Sequence, residues 1–223
     1  MMKTGEQDKA LIISGGAVEE ECALHFLQGR EHTYLIAADR GLTFLEAHGI
    51  EPDLIVGDFD SSPDGFIARY REQHPDVPVR AYNPEKDYTD TEIAAEAARE
   101  AGCKNITILG GTGTRLDHVC GNIQCLAKLL DEGCEGVLAD SRNRITMHER
   151  PFTIRKEEQW GHYVSLFPYG GPVKGLTLHG FHYTVTDFTL PTAGSRGVSN
   201  EIVAEEGSVS FREGRLLVIE SRD

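Results

Sequence analysis

Asp58 and Asp60 close the run DLIVGDFD (residues 53–60), one residue apart, where an apolar strand ends. In an extended chain such residues point to the same side, roughly 6.5 to 7 Å apart at about 3.3 Å per residue. Two carboxylates on one side suit a hard divalent cation, and magnesium is the default where another ligand is a phosphate. The same pair also fits a fold in which one aspartate caps the following turn and the other is solvated. A second acidic group follows in EKDYTDTEIAAEAAREAG (85–102). Thr89 and Glu92 have capping-box spacing, so a helix starts at Asp90, with Ile93, Ala94, Ala97, Ala98 and Ala101 on its buried side. Asp90 then lies in the first turn, where the helix dipole favours an anion, and it is also placed to be a third metal ligand.

The third element is LGGTGTRLDHVCGNIQCLAKLLDEG (109–133). Gly110, Gly111 and Gly113 let backbone N–H groups approach a phosphate at a helix N-terminus, and Arg115 offers a forked donor to phosphate oxygens. Glycine clusters also serve ordinary turns, and the run is neither a P-loop nor a dinucleotide fingerprint. Leu116, Val119, Cys120, Ile123 and Leu130 form the expected core stripe, leaving Asp117, Gly121 and Gln124 on another face. His118 is read as a packing residue.

These residues need a frame that brings them together. From the start to residue 148, short β-branched runs (ALIISGG, TYLIAAD, DLIVGDFD, VPVRAY, NITILGG) alternate with helix-like segments. That is the rhythm of an α/β domain with a parallel sheet and helices on both faces. Ligands of such sheets bind beyond the carboxyl ends of the strands. Gly15 and Gly16 follow the first strand, Asp39 and Arg40 the second, and Asp58 and Asp60 the third. Lys86, Asp87, Thr89 and Asp90 lie between the fourth strand and its helix, and Gly111, Arg115 and Asp117 follow the fifth. From 149 to 223 the segments are short and alternating, with glycine, proline or charged turns, which predicts an all-β sandwich domain. SFREGRLLVIES (210–221) reads as a hairpin turning at Glu213 and Gly214.

A chain of 223 residues accommodates both domains. Its net charge of −14, from 36 acidic and 22 basic residues, argues against a nucleic-acid backbone as partner. A small anion would need local basic groups or metal ions instead. The apolar runs are too short to cross a bilayer, and the N-terminus lacks a secretory apolar stretch, so a soluble cytoplasmic protein is expected. The five cysteines show no C-x-x-C spacing and are read as reduced thiols.

With these elements in order, the chain resembles the thiamine pyrophosphokinase family in its bacterial form. The matching pieces are SGG (14–16), ADRG (38–41), GDFDS (57–61), EKDYTDTEIA (85–94), GGTGTRLDHVCGNIQ (110–124) and GVSNE (197–201). The resemblance implies a catalytic α/β domain, a C-terminal β-sandwich for thiamine binding and dimerisation, and a homodimer with active sites shared between subunits. It implies transfer of a diphosphoryl group from ATP to thiamine, giving thiamine diphosphate and AMP. By this resemblance Asp58, Asp60 and Asp90 are the magnesium ligands, Lys86, Thr89 and Arg115 contact ATP phosphates, and Asp117 lies near the reacting hydroxyl. Ser199 and Asn200 match the family's thiamine-side pair. Some members stack thiamine on a tryptophan, where GFHY (180–183) here offers Tyr183. Gly15, Gly16, Asp39, Arg40 and Gly111 complete the expected nucleotide side.

Three rivals remain open at this stage. A diphosphokinase for another alcohol, such as a hydroxymethylpterin, would use the same machinery. A D-x-D glycosyltransferase would explain the aspartate pair alone, and a thiamine or nucleotide sensor would bind without turnover.

Overall fold

The computed structural model describes residues 8–29, 33–59, 65–82, 87–113 and 115–223. The chain divides into two units, Met1–Ser141 and Arg142–Asp223. The rhythm change expected near residue 148 thus has its structural counterpart a few residues earlier, because Asn143–His148 pairs with Leu216–Ser221 in the second unit.

In the first unit the order is β1 (Lys9–Ile13), α1 (Glu20–Gln28), β2 (Thr33–Ala38), α2 (Gly41–Ala47), β3 (Leu54–Gly57), α3 (Phe66–Gln73) and β4 (Val79–Ala81). It continues with α4 (Asp90–Glu100), β5 (Asn105–Leu109), α5 (Leu116–Asp131) and β6 (Glu135–Ala139). The strands pair in parallel in the order β4-β3-β2-β1-β5-β6. Strands covered on both faces read as continuous apolar runs, which is why KALII, TYLIAA and LIVG carry little polar alternation. Leu11, Ile13, Leu35, Ala37 and Ile55 pack with Leu27 of α1, Leu42 and Leu45 of α2 and Phe66 and Tyr70 of α3. The alternate residues Ile12, Ile36 and Ile108, also buried, point to the other face, where α4 packs.

Two helix faces differ from the expectation. On α5 the buried set is Asn122, Cys125, Leu126, Ala127 and Leu129, whereas Leu116 is 77% exposed and Cys120 is exposed. The helix carries apolar residues on two faces, so periodicity alone offers two stripes. Gly136 on β6 selects one of them: a Cβ there would stand 2.8 Å from Leu126 Cδ2 and 3.0 Å from Leu129 Cδ1. On α4, Thr91 and Ala95 join the buried face while Ala101 ends exposed.

The second unit holds β7 (Asn143–His148), β8 (Phe152–Arg155), β9 (Tyr163–Pro168), β10 (Val173–His179), β11 (Phe188–Leu190), β12 (Glu206–Ser210) and β13 (Leu216–Ser221). Antiparallel sheets β7-β13-β9 and β11-β10-β12-β8 enclose a core of Val164, Leu166, Leu176, Leu178, Val209 and Val218, the sandwich that was expected. The predicted hairpin does not form. β12 and β13 belong to different sheets, because the chain crosses between them at Phe211–Arg215. Phe211 turns into the core there, and Arg212 N–H and Glu213 C=O bond across to Lys174. Alternation records which side chains are inward, not which neighbour a strand takes.

Candidate functional site

In the first unit, β1 sits between β2 and β5, so the chain's direction across the sheet reverses between β1 and β5. The carboxyl ends of those two strands are where such sheets leave a crevice. Ser14 N–H bonds Leu109 C=O at 2.8 Å, and from this last rung Gly15–Gly16 and Gly110–Gly111 diverge. Their backbones touch: a Cβ on Gly16 would lie 2.2 Å from the Gly110 carbonyl oxygen. A Cβ on Gly15 would lie 2.9 Å from Asp39 Oδ2, so glycine admits that carboxylate. Asp39 itself takes φ 49°, a left-handed conformation that aspartate tolerates better than most residues.

The result is a cleft of about 250 Å³. Gly15, Gly16, Asp39, Arg40, Thr89, Asp90, Gly111 and Arg115, all singled out from the sequence, line it. The N–H groups of Gly15, Gly16, Gly111 and Gly113 have no backbone carbonyl partner among the described residues. Amides in paired glycine turns, with Arg40 and Arg115 beside them, make a seat for an anion. The carboxylates of Asp39 and Asp90 in the same cleft oppose an anion unless a cation accompanies it.

Thr89 is the N-cap of α4, its Oγ1 accepting from Glu92 N–H at 3.2 Å. The reciprocal half of the capping box is replaced, since Glu92 Oε1 pairs with Lys128 Nζ at 3.1 Å. Because the Thr89 hydroxyl acts in this cap as an acceptor, its hydrogen can still be donated. Arg115 and Asp117 form a two-point ion pair, Nη2–Oδ2 2.6 Å and Nε–Oδ1 3.1 Å. Asp117 Oδ1 also accepts from His118 N–H at 3.0 Å. The guanidinium, aided by that backbone N–H, holds the Asp117 carboxyl down at about 2. Both side chains are about two-thirds exposed, so Arg115 can exchange partners at little cost.

Asp58 stands half-buried one residue beyond β3, the strand on which α4 packs. Regular strand geometry ends with Gly57, and Phe59 takes φ 59°, so the described chain leaves the extended conformation just after Asp58. Asp60 and Lys86 lie outside the described residues. Among the described residues no three His, Cys, Asp or Glu side chains converge as a metal-binding group.

Sequence reasoning missed three polar residues of this cleft. Ser14 and Thr91, 5% and 7% exposed, share a hydroxyl–hydroxyl hydrogen bond of 2.5 Å that ties the end of β1 to the first turn of α4. Asn122, 5% exposed, donates from Nδ2 to Gly111 C=O at 2.8 Å and fixes the second glycine turn. An asparagine inside a helix is a poor helix former, and that was the available signal.

The second unit has its own cleft, of about 450 Å³, with an apolar wall that includes Leu176, Leu178 and Phe188 and with Tyr183, Arg196 and Asn200 also lining it. Tyr183 is 66% exposed, and Asn200 is 5% exposed. Ser199 adjoins this cleft with φ 55°, its N–H held by Ser165 Oγ at 3.0 Å.

Residues 28–138 match the family model described as thiamin pyrophosphokinase, catalytic domain, and residues 151–216 match thiamin pyrophosphokinase, vitamin B1 binding domain. A thiamine pyrophosphokinase of Bacillus subtilis is 36% identical over 194 residues, covering 86% of this chain and 89% of that protein. The chain belongs to the thiamine pyrophosphokinase family. A crystal structure of the thiamine pyrophosphokinase from Bacillus subtilis superimposes with a TM-score of 0.86 at 32% identity, over 96% of this chain and 100% of that one. The enzyme from Geobacillus thermodenitrificans gives 0.83 at 34% identity, over 96% and 97%. Each pyrophosphokinase family segment falls inside one unit of the chain; the catalytic segment includes Asp39, Arg40, Thr89, Asp90, Gly111 and Arg115 of the glycine-lined cleft, and the B1-binding segment includes the lining of the apolar one.

Proposed function

We propose that this chain transfers the diphosphoryl group of ATP to the hydroxyl of thiamine, giving thiamine diphosphate and AMP. The observation that carries the reading is the cleft at the β1–β5 reversal, lined by glycine turns whose amides take no backbone carbonyl among the described residues, by two arginines and by the carboxylates of Asp39 and Asp90. In this reaction the thiamine oxygen bonds to the β-phosphorus, the bond from that phosphorus to the oxygen of the α-phosphate breaks, and AMP leaves. The protein's task is positioning and charge balance.

Gly15, Gly16 and Gly111 seat the phosphates through backbone N–H groups, with Thr89, Lys86 and Arg40 as further donors and Asp39 on the same rim. Arg115 turns from Asp117 to the phosphate oxygens and balances charge as AMP departs. Asp117 orients the thiamine hydroxyl; held near 2 by Arg115, its carboxyl does not retain a proton at neutral pH while the two are paired. The half-buried carboxylates of Asp58 and Asp90 fit a hard divalent cation, and with Asp60 they would hold magnesium. Magnesium bound there would neutralise and align the triphosphate. Tyr183, Ser199 and Asn200 form the thiamine side. The active molecule is read as a cytoplasmic homodimer whose sites are shared between subunits, with no nucleic-acid or membrane partner. No described helix is long and apolar enough to cross a membrane.

The test is a steady-state assay with ATP, magnesium and either thiamine or a hydroxymethylpterin, scoring AMP. Thiamine-dependent AMP with thiamine diphosphate is expected. AMP released with the pterin alone would assign a different acceptor, and binding without AMP would make the chain a sensor.

A further inference from the structure

Asn200 lies in a segment that runs along the outer edge of β9. Leu166 N–H bonds Gly197 C=O at 2.8 Å, Ser165 Oγ takes Ser199 N–H, and Val164 exchanges both backbone hydrogen bonds with Asn200, at 2.7 and 3.0 Å. The Asn200 side chain points away from that edge to a second segment. Its Oδ1 accepts from Tyr183 N–H at 2.9 Å and from Glu201 N–H at 2.9 Å, and its Nδ2 donates to Tyr183 C=O at 2.7 Å. His182 N–H bonds Glu201 C=O at 2.8 Å beside it. The amide orientation is forced, since a flip would set oxygen against the Tyr183 carbonyl and NH₂ against two N–H groups.

Both backbone polar groups of Tyr183 are thus held by the side chain of Asn200, a residue 5% exposed, while Tyr183 itself is 66% exposed at the apolar cleft. An exposed aromatic ring on a turn has rotational and backbone freedom to lose when it stacks on a ligand. Fixing the backbone beforehand removes part of that cost. Both oxygen lone-pair directions and one amide hydrogen of Asn200 are already committed, which leaves little for a ligand.

We infer that Asn200 is a positioning residue that acts on thiamine through Tyr183, presenting the tyrosine ring to the acceptor rather than binding the acceptor itself. This deepens the proposed function and rests on its assignment of Tyr183 to the thiamine side. Asn200→Ala is expected to raise the thiamine KM roughly 3- to 10-fold, the size of an aromatic contact, and the ATP KM by less than about twofold. A general loss of folding would not divide the two substrates in this way.

The deciding experiment is a double-mutant cycle of Asn200→Ala and Tyr183→Ala read in thiamine KM, with urea unfolding of each variant. Asn200→Ala adding less than about twofold in the Tyr183→Ala background is expected. Additive effects would mean direct contact by Asn200 and would overturn the inference, as would an unchanged thiamine KM in folded Asn200→Ala. If Asn200→Ala fails to fold, Asn200→Asp keeps acceptors for the two N–H groups but sets an oxygen against the Tyr183 carbonyl, and the same cycle applies with the same criteria. Tyr183→Ala with the parental thiamine KM overturns the placement of Tyr183, and the inference with it, while leaving the products unchanged. A parent protein that forms no thiamine diphosphate overturns the function itself.

Discussion

Asp117 shows how one neighbour decides what a carboxylate can do. Its two-point pairing with Arg115 holds the carboxyl at about 2, far below the ordinary carboxylate range. A group with a depressed pKa stays ionised above that value, so Asp117, paired with Arg115 in the free protein, contributes no acid limb to kcat/KM between pH 4 and 6. Asp117→Asn is therefore expected to lower the kcat/KM for thiamine by a similar factor at pH 5 and pH 8, with ATP KM less affected. A variant that abolishes an acid limb near neutral pH would instead make Asp117 the group that takes up the hydroxyl proton. Asp90 poses the complementary case, because an acid in the first turn of α4 is already favoured by the helix dipole. Asp90→Asn keeps the Thr89 cap, so the fold should persist while magnesium-supported turnover falls roughly a hundredfold or more. Turnover within severalfold of the parent would return Asp90 to a purely structural role.

At the scale of elements, the close approach of the turns after β1 and β5 is what makes the cleft. Gly16→Ala places a methyl 2.2 Å from the Gly110 carbonyl oxygen, so the turns must part. A cost of about 1–3 kcal/mol in urea unfolding and a higher ATP KM are expected. Gly121→Ala serves as the contrast, since nothing lies within 4 Å of its added methyl and alanine is the better helix former. Stabilisation of up to about 1 kcal/mol with ATP KM unchanged is expected there. These glycines were legible in the sequence because they follow apolar strands, and strand ends in a parallel sheet gather at one rim. The α/β rhythm and the starts of α4 and α5 were legible for the same local reasons. What local pattern could not supply was pairing across the chain. The apolar residues of α5 offered two faces, and the one that packs fits against Gly136 of β6, a residue outside the helix. The run 210–221 reads as a hairpin, yet its two strands enter different sheets. Ser14, Thr91 and Asn122 look ordinary in sequence because their partners are 77 residues away for the first two and 11 for the last.

For the whole molecule, two units of different architecture carry separate clefts, and the stability of the second has a pH dependence of its own. His148 on β7 stacks on Phe152 at 4.0 Å, with Nε2 3.0 Å from Thr146 Oγ1. Burial pushes it from the ordinary 6.5 down to about 4. Below 6.5 the unfolded chain takes up a proton that the folded chain refuses, so stability is full above pH 6.5 and declines as the pH falls toward 4. The loss is at most roughly 3 kcal/mol. Urea midpoints at pH 7.5 and pH 4.5 should draw closer together in His148→Phe than in the parent, and an unchanged gap would place the acid sensitivity elsewhere. The central claim concerns the first unit: its cleft directs attack to the middle phosphorus of ATP. ATP labelled at the β-phosphorus, incubated with the protein, thiamine and magnesium, tests this most directly. The account predicts the label in thiamine diphosphate and unlabelled AMP in equal amount; label retained in ADP, with thiamine monophosphate as the other product, would contradict it.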